Sequence, residues 1–395
     1  MALLRKHLAK IVIVALMSVP LVATFVGAPD ASGEQRKLAA APSMPSGWRE
    51  ALALPAALDP WINDHFGWRI RMVEVYTRLR HDLFGRFPTN QVIGGRDGRI
   101  FLAAHNRAGE GEPYTAIALA CGWQFRDGPE IVAEVNQFSR LFDAAGIDAK
   151  LLIVPSAPIV YLEQLPAWQT ERCTVDGAPV YQMLASPGLD PRARERVMFP
   201  LKEMRAIRGR DAMFPLTFFH WSGAGPRAVA GMTQERFWKR PAAGGTPIPL
   251  VEKRVPSDVH FLFPGIEHDS VAGEPDFTGT TITSCYGPDC FPGMKSIMEK
   301  LVVAGRFTNT APGLAPRLVM ITDSFGYAGA PWFSRYYNEV VYLSTNGLAQ
   351  ATPAEVEQLR SLLFRRGSKD EVLYLYHDAT VYSNRIGTDL KTLRP

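Results

Sequence analysis

No lysine- or arginine-rich run occurs in the body of this chain, and its 395 residues carry a net charge of only +4. Several of those charges sit at the extreme N-terminus, at Arg5, Lys6 and Lys10. The rest is close to neutral, which excludes the electrostatic footprint of a nucleic-acid-binding protein. No repeat of fixed period is present, so a solenoid or propeller is excluded. Low-complexity tracts are missing too: the 33 glycines and 31 prolines are dispersed, and point to many turns. Cysteine is scarce, at four residues: Cys121, Cys173, Cys285 and Cys290. Their spacing is wrong for a zinc ribbon and no histidine lies close to them, which argues against a metal site. No other metal or organic cofactor is indicated.

What is present begins with an export signal. Arg5, Lys6, His7 and Lys10 precede an apolar run from Ile11 to about Ala28, interrupted at Ser18 and Pro20. A basic segment before an apolar one keeps its positive end in the cytoplasm. Val26-Gly27-Ala28 offers small residues for cleavage, while the run is also near the length of a membrane span. Residues 1–28 are therefore a signal peptide or an N-terminal membrane anchor of the inner membrane. Residues 29–57 read as a linker. Export permits disulfides. Four cysteines allow three pairings. The Gly-Pro turn in Cys285-Tyr-Gly-Pro-Asp-Cys290 makes a local bridge easy, leaving Cys121 for Cys173.

Residues 58–395 read as one α/β domain. Helical spacing runs through 58–86, most clearly from Ile70 to Leu83. Two short strands flank a Gly-Gly-Arg-Asp-Gly turn in 91–102. A helix over 128–145 precedes the apolar run Lys150-Leu-Leu-Ile-Val-Pro155. Similar runs recur at 317–322 and 371–376, and more weakly at 340–343. Helical stretches fall at 226–238, 292–304 and 353–365. This alternation predicts a mostly parallel sheet covered on both faces. Residues 240–290, rich in Pro, Gly and Thr, read as a long loop insertion near the site.

The candidate chemistry centres on Ile321-Thr-Asp-Ser-Phe325, which follows an apolar strand and precedes Gly326. Ligands of open α/β sheets bind beyond the carboxyl ends of strands, so Ser324 is the candidate nucleophile, with backbone amides beside it for an oxyanion. A serine needs a base. His220 lies in Phe218-Phe219-His220-Trp221-Ser-Gly-Ala-Gly225. His260 lies in Ser257-Asp258-Val259-His260, where an extended segment would put Asp258 and His260 on the same side.

Several blocks resemble the alginate O-acetylation proteins of the AlgJ/AlgX type, a circularly permuted branch of the SGNH hydrolase superfamily. Asp64-His-Phe-Gly-Trp-Arg69 resembles the N-terminal block of that family. Val92-Ile-Gly-Gly-Arg-Asp-Gly-Arg-Ile-Phe101 is similar to its glycine-rich hairpin. Leu152-Ile-Val-Pro-Ser156 and Tyr161-Leu-Glu-Gln-Leu-Pro166 resemble its first sheet strand and the loop after it. Phe219-His-Trp-Ser-Gly-Ala224 resembles its aspartate-x-histidine-tryptophan block, and Thr322-Asp-Ser-Phe325 its glycine-aspartate-serine-phenylalanine block. Residues 336–343 and 368–378 resemble its last strands. The series keeps its order over roughly 60–385.

The resemblance implies a three-layer α/β/α SGNH hydrolase-like fold with a central, mostly parallel sheet. It implies a periplasmic O-acetyltransferase acting on an exopolysaccharide, supplied with acetyl groups by a membrane-bound O-acyltransferase. It favours His220 as base over His260, and a glycan path with aromatics such as Trp332, Tyr336 and Tyr337. Three positions depart from the pattern. Phe218 stands where the family has its triad aspartate, Thr322 where it has glycine, and Ala157 where it commonly has lysine. Asp258 is then a candidate replacement carboxylate. The alternatives are an acetyl esterase, with water as acceptor, and a non-catalytic glycan-binding or scaffold subunit, which the loss of the aspartate favours.

Overall fold

The structure is a computed structural model that describes residues 7–15, 18, 22–23, 38–65, 67–103, 115–122, 128–365 and 367–395. Arg5, Lys6, the Val26–Ala28 segment, residues 29–37 of the expected linker, Phe66 and His105 lie outside the described residues. Residues 7–15 are helical, and no helix among the described residues is long and apolar enough to cross a membrane. The chain divides into two units, one of Met1–Thr89 with Val259–His268, the other of Asn90–Asp258 with Asp269–Pro395.

In the first unit, the helical segment expected over 58–86 is two helices, Trp48–His65 and Arg69–Phe84. The first starts inside the expected linker. The two are separate because Trp68 adopts a left-handed conformation with φ of 65°, which a continuous helix does not tolerate.

The second unit is built on eleven strands. They are β1 (Val92–Gly94), β2 (Ile100–Leu102), β3 (Asp148–Val154), β4 (Val197–Met198), β5 (Leu250–Pro256), β6 (Asp269–Pro275), β7 (Ile282–Tyr286), β8 (Ala304–Asn309), β9 (Ala315–Thr322), β10 (Tyr337–Ser344) and β11 (Glu371–His377). Strands β1 and β2 form the expected hairpin. Seven strands form the central sheet in the order β4-β3-β11-β9-β10-β8-β7. The first five are mutually parallel, while β8 runs against both β10 and β7. Successive residues of β9 and β11 are all buried over their C-terminal halves. Because neighbours along a strand point to opposite faces, both faces of the sheet are covered. The fold is thus α/β with a mostly parallel central sheet.

Within residues 240–290 composition concealed three strands. Residues 240–290 are not a plain loop: β5 and β6 pair along seven residues as an antiparallel ribbon, and β7 is an edge strand of the main sheet. The helix expected over 292–304 spans only Lys295–Leu301. Val302 then takes a φ of 67° and the chain turns into β8, which no apolar run announces.

Both cysteine pairs form disulfides, Cys121–Cys173 and Cys285–Cys290. Their sequence separations are 52 and 5 residues. Loop-closure entropy then gives about 4 kcal/mol for the long bridge and about 2 for the short one. Urea unfolding of Cys121→Ser/Cys173→Ser should therefore show roughly twice the loss seen in Cys285→Ser/Cys290→Ser. Equal losses would contradict the entropic account.

Candidate active site

The carboxyl ends of the parallel strands are level. Leu375 of β11 and Ser344 of β10 both pair with Thr322 of β9, and His377 pairs with Val154 of β3. Ser324 lies just past this rim, before the helix Gly326–Phe333. A tight turn brings it there. Phe325 N–H donates to Asp323 Oδ1 at 2.9 Å, and Gly326 N–H to Asp323 O at 3.2 Å. A Cβ on Gly326 would sit 2.1 Å from Thr322 Oγ1, so glycine here accommodates the threonine.

Ser324 Oγ lies 2.9 Å from His220 Nε2, and His220 Nδ1 lies 2.8 Å from Asp258 Oδ2. Asp258 also accepts the backbone N–H groups of Phe219 and His220, at 2.8 and 2.9 Å. With a carboxylate accepting at Nδ1, the imidazole carries its proton there and turns the Nε2 lone pair to the Ser324 hydroxyl. His220 and Asp258 are partly buried, with 33% and 18% of their side chains exposed.

The β5–β6 ribbon positions this carboxylate. Asp258 follows β5, and the neighbouring Ser257 Oγ donates to Thr217 O at 2.5 Å. Thr217 N–H donates to Ser270 Oγ of β6 at 2.9 Å, and Ser222 Oγ to Gly273 O at 2.7 Å. Gly223, with φ of +64°, meets Gly273 so closely that a Cβ on it would lie 2.8 Å from the Gly273 Cα. Two facing glycines thus let the ribbon close on the segment carrying His220.

Phe218 remains where the resemblance places an aspartate; the carboxylate that reaches His220 is Asp258. Residues 258–259 turn, and His260 begins a 3-10 helix, His260–Leu262, in the first unit. The extended geometry that would align positions i and i+2 is absent. Trp332, Tyr336 and Tyr337 are buried at 1%, 3% and 0% exposure, so they pack the core and line no open path. Ala157 is buried in a short helix, Ala157–Val160.

A second aspartate–histidine pair lies behind the serine. Asp323 Oδ2 accepts from His377 N–H at 2.8 Å and from His377 Nδ1 at 2.6 Å. Burial alone would raise the Asp323 carboxyl, but His377 and the amides of His377 and Phe325 outweigh it and hold the carboxyl below its usual range. The His377 ring stacks on Phe325 with centroids 4.7 Å apart. Trp221 Nε1 donates to Phe325 O at 2.8 Å. The Tyr-His-Asp sequence ending an apolar strand was the available signal for His377.

Asp389 lies below the rim, accepting from Thr345 Oγ1 and Tyr376 Oη at 2.6 and 2.5 Å. Burial outweighs these bonds and pushes it up from 3.8 to about 6. Between those values the folded state holds more protons than the unfolded one, so stability falls as pH rises through about 4 to 6. The effect is on the order of 3 kcal/mol. The stability difference between the parent and Asp389→Asn should therefore move against the parent across that window and level off above it. A difference independent of pH would refute the assignment.

Among the described residues, no group of three or more His, Cys, Asp or Glu side chains is placed to hold a metal ion. The geometry is a serine–histidine–aspartate arrangement at the carboxyl rim of an α/β sheet, in the chain order His220, Asp258, Ser324.

No family model matches the sequence, and no curated protein matches it. Solved structures do match it. A DHHW family protein from Eubacterium siraeum is 14% identical, with a TM-score of 0.49 over 76% of this chain and 96% of that one. PatB1 of Bacillus cereus, in a structure with a sulfonyl adduct, is 12% identical, with a TM-score of 0.46 over 66% of this chain and 92% of that one. The O-acetyltransferase domain of Pseudomonas putida AlgJ is 13% identical, with a TM-score of 0.44 over 74% of this chain and 92% of that one.

Proposed function

We propose that this chain is an exported O-acetyltransferase that moves acetyl groups onto a polysaccharide through Ser324. The observation that carries the reading is the hydrogen-bonded series Asp258–His220–Ser324. The order of sequence blocks resembling the alginate O-acetylation proteins supplies the substrate class.

In the first half-reaction Ser324 Oγ attacks the acetyl carbonyl of a donor ester, and its proton passes to His220 Nε2. Asp258 stabilises the imidazolium and keeps its orientation. Among the described residues the Ser324 amide has no acceptor, while those of Phe325 and Gly326 are engaged by Asp323. The Ser324 N–H is therefore the donor free for the oxyanion. The donor alcohol leaves with the proton, and acetyl-serine remains. A sugar hydroxyl then attacks this ester, giving its proton to His220, and serine is restored.

A basic-then-apolar N-terminus and two disulfides support a periplasmic site, where a membrane-bound O-acyltransferase would supply the acetyl group.

The test is to incubate the full chain with p-nitrophenyl acetate and weigh the intact protein. The parent should gain one acetyl group, located on Ser324. Ser324→Ala should gain none and release p-nitrophenol roughly a thousandfold more slowly or worse. An unmodified parent, or an adduct that survives in the variant, would sink the proposal.

A further inference from the structure

Three tyrosines gather on the side of the rim formed by β10, β8 and β7. Tyr342 of β10 pairs with Gly305 of β8, and Gly305 pairs in turn with Tyr286 of β7. Residues directly opposite across strands share a face, so both rings flank a glycine on one side of the sheet. Gly305 is needed there: a Cβ on it would lie 2.4 Å from the Tyr342 ring. Tyr327 comes from the first turn of the helix after the nucleophile, and its N–H donates to Ser324 O at 3.4 Å. Its ring meets that of Tyr286 with centroids 6.1 Å apart and planes tilted by 50°. The Tyr286 ring is braced edge-on by Phe307, 5.6 Å away, and its neighbour Cys285 is tied to Cys290.

The exposed rings of this cluster call for a ligand. Tyr327 and Tyr286 leave 58% and 47% of their surface exposed beside the proposed nucleophile. Tyr342 is wholly buried and its ring stacks on Phe307 with centroids 5.9 Å apart, so it supports the cluster from within. Burial pushes the Tyr286 phenol up to about 12, with Tyr327 and then Glu274 adding to the effect. The Tyr342 phenol is raised as well, by burial first and then by both other tyrosines. Both phenols are therefore neutral donors at physiological pH. Rigid rings with hydroxyl tips suit a ligand that has apolar C–H faces and many hydroxyls.

We infer that the exposed rings of Tyr286 and Tyr327 form the acceptor subsite, holding a saccharide ring beside Ser324. The two rings stack on its C–H face, and their hydroxyls reach its polar edge. This rests on the acetyl-transfer reading above and places the acceptor on the side of the nucleophile formed by the edge strands. It also replaces Trp332, Tyr336 and Tyr337 as the aromatic contacts of the glycan.

The test is equilibrium binding of cellohexaose and of a glucuronate hexamer to the full chain. Ser324→Ala is included so that affinity is read without turnover. At least one hexasaccharide should bind the parent and Ser324→Ala alike. Tyr327→Ala and Tyr286→Ala should each weaken it roughly tenfold, whereas Tyr327→Phe should keep most of the affinity. If neither hexasaccharide binds, or both alanine variants bind as the parent does, the inference is overturned. Should Tyr286→Ala not fold, the exposed Tyr327 pair of variants still decides. Absence of acetyl-serine in the parent would defeat the acetyl-transfer reading while leaving this binding result to stand or fall by itself.

Discussion

Asp258→Asn should slow acetyl-serine formation by roughly a thousand- to ten-thousandfold, while His260→Ala leaves the rate unchanged. The carboxylate accepts three N–H groups at once: the amides of Phe219 and His220, and the ring Nδ1–H. An asparagine presents one oxygen and one NH2 group, so it cannot accept all three. If its oxygen keeps the Phe219 amide, the NH2 group faces both the His220 amide and Nδ1, and stabilises the wrong tautomer. Nε2 then carries the proton and cannot take one from Ser324. Loss of tautomer control in a serine protease triad costs on the order of 10,000-fold. If the oxygen serves the ring, a backbone amide is stranded and the segment before Trp221 loosens. Single-turnover release of p-nitrophenol from p-nitrophenyl acetate measures the step. A parent-like rate in Asp258→Asn, or a comparable loss in His260→Ala, would show that the carboxylate serves another histidine.

Trp221→Ala should destabilise the full chain by roughly 3–5 kcal/mol, the range for truncating a fully buried aromatic. Its indole is 1% exposed and its N–H donates to the Phe325 carbonyl. Gly329, in the helix after the nucleophile, lies so close that a Cβ there would approach the ring to 3.1 Å. The indole therefore ties the residue after His220 to the residue after Ser324. Its removal should cost activity beyond the fraction unfolded, because the 2.9 Å contact between His220 and Ser324 depends on both segments. Trp221→Phe should retain much of the packing and lose the hydrogen bond, at about 1 kcal/mol for the bond itself. Urea unfolding, with acetylation rates corrected for folded protein, separates these effects. A specific rate equal to the parent's would make Trp221 a core residue alone.

Local patterning announced much of this architecture. The run 317–322 falls within β9, 371–376 within β11, and 128–145 coincides with the helix Gly128–Ala145. These are elements whose burial is written into consecutive residues, because a strand covered on both faces needs apolar side chains at every position. The edge was less legible. β5 and β6 contain glycine, proline or charge because one or both of their faces meet solvent or a close backbone, so composition alone suggested a loop.

The sequence by itself determined the α/β class, the place of Ser324 after a buried strand, and His220 among aromatics and glycines. It also displayed Asp258 as a carboxylate near a histidine, but assigned it to no single one. Only the tertiary structure decided that Asp258 meets His220, across 38 residues, and that Asp323 turns inward to His377. Those pairings depend on two glycines that let the ribbon close and on strand ends that lie level, which are relations between distant segments rather than properties of any one of them. The same holds for the tyrosines. Tyr286 and Tyr342 share a face through strand register, and Tyr327 meets Tyr286 from the helix after the nucleophile.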